Sequence, residues 1–248
     1  MVSIIRPSII NNNPCQQCRW HSYPTTTSQE YAAALAIFKS SQQAILQRGV
    51  FHLVLAGGTT PRKVYELLRT MDANWNAWHI YFGDERCLPA DHADRNSRMA
   101  AQAWLDHVSI PASQIHIIPA ERGAETAAGA YAQILSAVDM FDLVILGLGE
   151  DGHTASLFPH HEWGSSPGSP ATLAVYDAPK PPPQRVSLTA QRLSQTRKLM
   201  FLVSGATKRQ AIIDWHNGKD IPAAAIAPAS GVDVYLDKDL MKAVSDAG

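Results

Sequence analysis

Asp151 and His153 stand two residues apart in a run punctuated by Gly147, Gly149 and Gly152. An imidazole takes up and returns a proton near neutral pH, which suits it to general acid–base chemistry. A carboxylate so close has two possible uses. It can orient the imidazole and stabilise its charged form, or it can simply turn the backbone. The glycines follow an apolar stretch, residues 143–146, that reads as a buried strand of a parallel sheet. In open α/β sheets ligands sit beyond the carboxyl ends of the strands. The acid and the imidazole therefore fall where chemistry is usually done. The alternative is a glycine-rich turn carrying a surface histidine.

Two earlier strand-like runs end in the same way. Residues 53–56 lead into Gly57, Gly58, Thr59, Thr60 and Pro61, and Val64, Leu67 and Leu68 follow at helical spacing. Pro61 suits the first turn of a helix. The glycines let backbone N–H groups approach a ligand, the threonines offer hydroxyls, and a helix start favours an anion. This is the physics of a phosphate cradle, although the segment is neither a Gly-x-Gly-x-x-Gly fingerprint nor a Walker A loop. Residues 78–82 lead into Gly83, Asp84, Glu85 and Arg86. An arginine can grip a phosphate with two parallel hydrogen bonds while a neighbouring carboxylate fixes its fork. A solvated charged turn is the alternative. Asp94 and Asn96 lie just beyond, where either can cap a helix predicted over 98–107. Two more cations sit at element ends. Arg185 opens a strand, and Lys208 falls in the first turn of a helix over 207–216. A cation there opposes the helix dipole and makes sense beside an anion. A solvated strand-end position is the other reading for both.

The elements that must carry these loops alternate. A helix is predicted over 29–47, with Tyr31, Leu35, Phe38 and Ile45 among its apolar positions. Strands are predicted near Leu53, Ile80, Ile115, Val144, Val175, Val186, Phe201 and Val234, separated by helices over 61–69, 98–107, 124–138 and 207–216. Such alternation implies a single-domain, Rossmann-like α/β fold, an open parallel-rich sheet with helices on both faces. Residues 1–27 read as an extension without regular pattern, and 28–248 as the functional domain. Pro181, Pro182 and Pro183 form a stiff connector ahead of Arg185.

Composition bounds the function classes. A chain of 248 residues can bury a sizeable core, and 46% hydrophobic with 17% charged residues is a globular balance. A net charge of −1 with no long basic run argues against nucleic acid as a partner. The apolar runs are too short to span a membrane. The N-terminus lacks a basic segment followed by an apolar core and cleavage site, so the expected location is the cytoplasm. Cys15 and Cys18 have the spacing of half a zinc site or a redox pair, but no second ligand pair follows. The odd count of 3 cysteines gives no disulfide framework. The expectation is a protein without metal or cofactor that binds a small molecule, as a monomer or small homo-oligomer.

The three glycine-ended segments resemble those of 6-phosphogluconolactonases, members of the glucosamine- and galactosamine-6-phosphate isomerase superfamily. The matching residues run in the family's order: Gly57 to Pro61, Gly83 to Arg86, Asp94 to Asn96, Gly147 to Pro159, Arg185 to Thr189 and Gly205 to Lys208. Glucosamine-6-phosphate deaminases share related loops but typically continue differently after Asp-Gly-His. Thr154, Ala155, Ser156 and Leu157 favour the lactonase. Departures from the family pattern are Glu150, Arg95 and Ser187. The resemblance implies a fold of the sugar-phosphate isomerase type and hydrolysis of 6-phospho-D-glucono-1,5-lactone. It implies catalysis by His153 with Asp151, and substrate or phosphate binding by Gly57, Gly58, Thr59, Thr60, Asp84, Glu85, Arg86, Asn96, Arg185 and Lys208. The competing readings are an amino-sugar-phosphate deaminase or isomerase, and a non-catalytic sugar-phosphate sensor. A sensor would normally carry a DNA-binding module, and 27 residues are too few for one.

Overall fold

The loops meet because of how the strands are ordered. The computed structural model describes residues 9–13 and 16–247. The first half contains β1 (Ile9–Asn13), β2 (Gln16–Tyr23), α1 (Thr26–Arg48), β3 (Phe51–Leu55), α2 (Thr59–Leu68), β4 (Trp78–Phe82), β5 (Asp84–Arg86), α3 (Asn96–Ala103) and α4 (Ala124–Leu135). The second contains β6 (Leu143–Gly147), β7 (Thr172–Val175), β8 (Arg185–Leu188), α5 (Ala190–Ser194), β9 (Leu199–Val203), α6 (Arg209–His216), β10 (Val232–Asp237) and α7 (Lys238–Ala247). One sheet has the order β1-β2-β10-β9-β6-β3-β4, and every neighbouring pair is parallel except β1 with β2. From β3 the chain moves outward to β4, then returns past β3 to β6 and on toward β10. The crevice between the carboxyl ends of β3 and β6 is thus the switch point at which open α/β sheets bind ligands.

Both faces of this sheet are covered, as the alternation predicts. Trp20, Phe201 and Val234 share one face by register, and Trp215 of α6 packs on it with ring centroids 5.4 Å from Trp20 and 4.6 Å from Phe201. Asp233 and Tyr235 point the other way, into a groove formed with Ala36 and Lys39 of α1. The strands β3, β6 and β9 are almost wholly apolar and buried, as strands covered on both faces must be.

Three expectations need correction. Residues 16–23 are not irregular: β2 lies inside the sheet, parallel to β10. Gln16, Cys18 and Trp20 alternate inward while their neighbours are more exposed, which is the period of a strand. Gln16 is buried because its amide donates to the carbonyls of Ala223 and Ile226 and accepts from the indole of Trp215. Ile115 makes one parallel bridge to Ile80 and no strand. Val175 and Val186 belong to a separate antiparallel sheet, β5-β8-β7. The Cys-x-x-Cys spacing carries no redox pair at Cys18, in line with the lack of a second ligand pair in the sequence: Cys18 donates to the Gln16 side chain at 3.2 Å, and burial pushes its thiol up to about 12. Cys15 lies outside the described residues.

Candidate active site

The loops after β3, β4, β6 and β9 enclose a cleft of about 380 Å³ at the carboxyl edge of the sheet. Gly57, Gly58, Asp84, Arg86, Asn96, His153, Arg185 and Lys208 all line it. Eight of the twelve residues singled out from sequence therefore converge on one cavity.

His153 is held by Asp151. Its Nδ1 lies 2.6 Å from Asp151 Oδ1, and the same oxygen accepts the His153 backbone N–H at 3.1 Å. Burial pushes the Asp151 carboxyl up, but the His153 N–H groups and imidazole outweigh it, and the acid ends below the usual carboxylate range. An ionised Asp151 accepts a hydrogen bond from Nδ1–H, so Nε2 is the nitrogen free to act as a base. Gly149 lies directly against this ring. A Cβ there would collide with Nδ1, Cε1 and Cγ of His153, so only glycine lets the imidazole sit where it does.

The segment from Gly83 to Arg86 divides its roles by strand alternation. Asp84 and Arg86 face the cleft, and Glu85 faces the opposite way with no solvent exposure. This corrects the expectation that Glu85 binds substrate. Its carboxylate accepts the backbone N–H groups of Asn96 and Ser97, each at 2.8 Å, and of Arg86 at 2.9 Å. Glu85 therefore caps α3 from a distance, in place of the predicted capping by Asp94 or Asn96. Arg95 pairs with Glu85 at 3.4 Å and Glu121 at 2.9 Å, which gives this departure from the family pattern a structural role.

Asn96 donates instead to the carboxylate of Asp84 at 2.9 Å and to its backbone carbonyl at 3.0 Å. Its side chain occupies the space a Cβ of Gly57 would need. Ser156 donates to the second Asp84 oxygen at 2.6 Å. Burial pushes the Asp84 carboxyl up, against the pull of Ser156, Arg185 and Arg86. Arg86 gives one N–H to the Asp94 carbonyl at 2.9 Å, while its buried Nε has no hydrogen-bond partner among the described residues. A buried donor left in this state is one a ligand acceptor would satisfy.

Thr59 and Thr60 stand beside Gly58, just outside the residues that line the cleft. Thr59 is exposed. The Thr60 hydroxyl pairs with Ser204 at 2.8 Å and so ties the first turn of α2 to the loop that carries Lys208. Burial pushes the Lys208 ammonium down, partly offset by Glu150.

The chain matches the family described as glucosamine-6-phosphate isomerases/6-phosphogluconolactonase over residues 24–235. It belongs to that family. A 6-phosphogluconolactonase of Synechocystis is 39% identical over 184 residues, covering 68% of this chain and 73% of its own length. One from Mycobacterium tuberculosis is 34% identical over 241 residues, covering 88% and 94%. The crystal structure of the Thermotoga maritima 6-phosphogluconolactonase superposes with a TM-score of 0.80 at 26% identity, covering 89% of this chain and 99% of that one.

The run from Thr154 to Phe158 also builds the cleft. The Thr154 hydroxyl donates to the Gly147 carbonyl at 2.8 Å, and Ser156 reaches Asp84. Sequence reasoning missed Ser156 as a partner of Asp84, and Ser187, whose hydroxyl accepts the Ser156 N–H at 3.2 Å. It also missed Lys180, which lines the cleft from the proline connector. The only available signal for Lys180 was its place between two prolines just ahead of Arg185. No helix among the described residues is long and apolar enough to cross a membrane, and no three His, Cys, Asp or Glu side chains among them are grouped to hold a metal ion.

Proposed function

We propose that this chain hydrolyses 6-phospho-D-glucono-1,5-lactone to 6-phospho-D-gluconate, the lactonase step of the oxidative pentose phosphate pathway, with His153 as general base. The observation that carries the mechanism is the Asp151–His153 pair set into a cationic cleft at the sheet's switch point. The named relatives, all lactonases over most of their length, support the substrate.

A lactone carbonyl is already electrophilic, so the barrier lies in making water nucleophilic and in carrying charge on oxygen. Nε2 of His153 takes a proton from water as its oxygen bonds to C1. The tetrahedral intermediate then collapses with cleavage of the bond from C1 to the ring oxygen. The imidazolium returns the proton to that oxygen, and the product leaves as an acid that ionises. Asp151 stabilises the transient imidazolium. Among the described residues, Arg86, Lys180, Arg185 and Lys208 line the cleft against one carboxylate, Asp84. That excess favours a phosphate dianion.

The phosphate is assigned to the backbone of Gly57 and Gly58 at the start of α2, with Lys208 and Arg86. Asp84, fixed by Asn96 and Ser156, is left to accept hydroxyls of the sugar. The test is a coupled assay with freshly generated 6-phosphogluconolactone, corrected for spontaneous hydrolysis. The expected result is rapid turnover of that lactone. Failure to exceed the spontaneous rate would overturn the assignment.

A further inference from the structure

Arg185 is tied up within the chain, while Lys180 is the cation that the proline connector offers to the cleft. Arg185 is buried, and its guanidinium is engaged within the chain. Its Nε donates to the Pro182 carbonyl at 3.1 Å and its Nη2 to the Lys180 carbonyl at 2.8 Å. The guanidinium also packs 5.6 Å from the ring centroid of Phe158, and that ring lies 4.8 Å from the His153 imidazole. The connector is pinned at two more points, by Ala178 N–H to the Pro183 carbonyl at 3.1 Å and by Cys87 N–H to the Gln184 carbonyl at 3.0 Å. Three consecutive prolines after Lys180 stiffen what remains.

The residue this connector presents is Lys180. It is exposed, it lines the cleft, and it forms no ion pair with a carboxylate among the described residues. Lys208 lines the same cleft from the loop after β9, close enough that the Lys180 charge adds to burial in pushing the Lys208 ammonium down. Two ammonium groups that line one cleft from separate loops repel unless an anion lies between them. Lysine suits this use, as a compact charge with three donors on a flexible stem.

We propose that Lys180 is a phosphate-binding, specificity-determining residue that closes over the substrate's phosphate opposite Lys208, and that Arg185 is its positioning residue and not a phosphate ligand. The inference rests on the lactonase reading. It predicts that discrimination for a phosphorylated over a plain sugar lactone depends on the connector as much as on the strand-end loops.

The experiment uses the full chain and the variants Lys180→Gln, Arg185→Lys and the two combined. Binding of 6-phosphogluconate and of gluconate is measured by calorimetry, and kcat/KM is measured for 6-phosphogluconolactone and glucono-1,5-lactone. Lys180→Gln, at an exposed position, is expected to weaken 6-phosphogluconate binding about tenfold or more, the scale of a charged hydrogen bond. Gluconate binding and turnover of the plain lactone should change less than twofold. Arg185→Lys keeps the charge but loses the planar fork that spans the Pro182 and Lys180 carbonyls. It should produce the same selective loss, and the double variant should lose no more than either single one. The proposal is overturned if Lys180→Gln leaves 6-phosphogluconate binding within twofold, or weakens both ligands equally. It is also overturned if Arg185→Lys and Lys180→Gln effects add fully. A wild-type protein that binds 6-phosphogluconate with the expected dependence on Lys180 but turns over neither lactone would refute the lactonase reading and leave the phosphate site standing.

Discussion

A single carboxylate oxygen of Asp151 accepts both N–H groups that His153 can offer it, the ring Nδ1–H at 2.6 Å and the backbone N–H at 3.1 Å. The two-residue spacing thus closes a clip that fixes both the tautomer and the direction of the ring. The Asp151 carboxyl is held below the usual carboxylate range, so it remains ionised wherever the imidazole can accept a proton.

Asp151→Asn keeps the shape of this clip and removes its charge. The variant is expected to lose kcat by ~10- to 10⁴-fold with little change in KM, because the amide neither enforces the tautomer nor stabilises the imidazolium. Steady-state kinetics on 6-phosphogluconolactone checks this. Wild-type turnover would reduce Asp151 to a backbone turn.

Gly149 tests the placement of the ring independently. Its missing Cβ leaves the space that the imidazole fills. Gly149→Ala should lower kcat by at least ~10-fold, since even a small misplacement of a catalytic group is costly, while the urea midpoint stays near that of the parent. An alanine variant of full activity would show that the ring position is not critical.

The cations of the strand-end loops should act on the phosphate and not on the carbonyl. Arg86→Ala and Lys208→Ala are expected to lower kcat/KM for 6-phosphogluconolactone by ~1.5–3 kcal/mol. Turnover of glucono-1,5-lactone should be nearly unchanged, because binding energy from a remote group is gained only when that group is present. Equal losses on both lactones would assign these side chains to structure. Arg86 is the sharper case, since its Asp94 contact already serves the fold.

Most of the cleft was legible because it is local. Gly57 and Gly58, Gly83 to Arg86, Gly147 to His153 and Lys208 each follow an apolar strand within a few residues, and a parallel sheet gathers such loops at one edge. What escaped depends on partners far away in sequence. The strand β2 is polar enough to read as irregular until it is paired with β10, about 210 residues later. Glu85 looks like its neighbours Asp84 and Arg86, and only the pairing of β5 with β8 turns it toward α3. The Thr60 hydroxyl was read as a ligand donor, yet its partner is Ser204. Lys180 carries no motif, and its position is set by the bonds Arg185 makes backward to the connector.

A stability prediction follows from histidines outside the cleft. His52 and His79 face each other across β3 and β4 with ring centroids 5.1 Å apart, and His79 Nδ1 lies 3.3 Å from His116 Nε2. Tyr81 reaches His52 at 3.3 Å, with Asp142 and Arg192 as the charged groups nearby. Burial pushes all three imidazoles down, and their mutual proximity adds to this for His52 and His116. They take up a proton less readily in the fold than once it opens. The unfolded chain therefore binds more protons, and stability should fall as pH drops below about 6.5, the ordinary histidine value. Urea midpoints between pH 8 and 5.5 check this, with His79→Gln expected to flatten the dependence. A midpoint constant over that range in the parent protein would exclude it.

The central claim is that His153 activates the attacking water. The direct measurement is kcat for His153→Ala on freshly generated 6-phosphogluconolactone, alongside its affinity for 6-phosphogluconate. The predicted result is a ~10²–10⁴-fold loss of kcat, the usual contribution of a general base, with product binding changed little. A folded variant that turns over the lactone at nearly the parent rate would contradict the account.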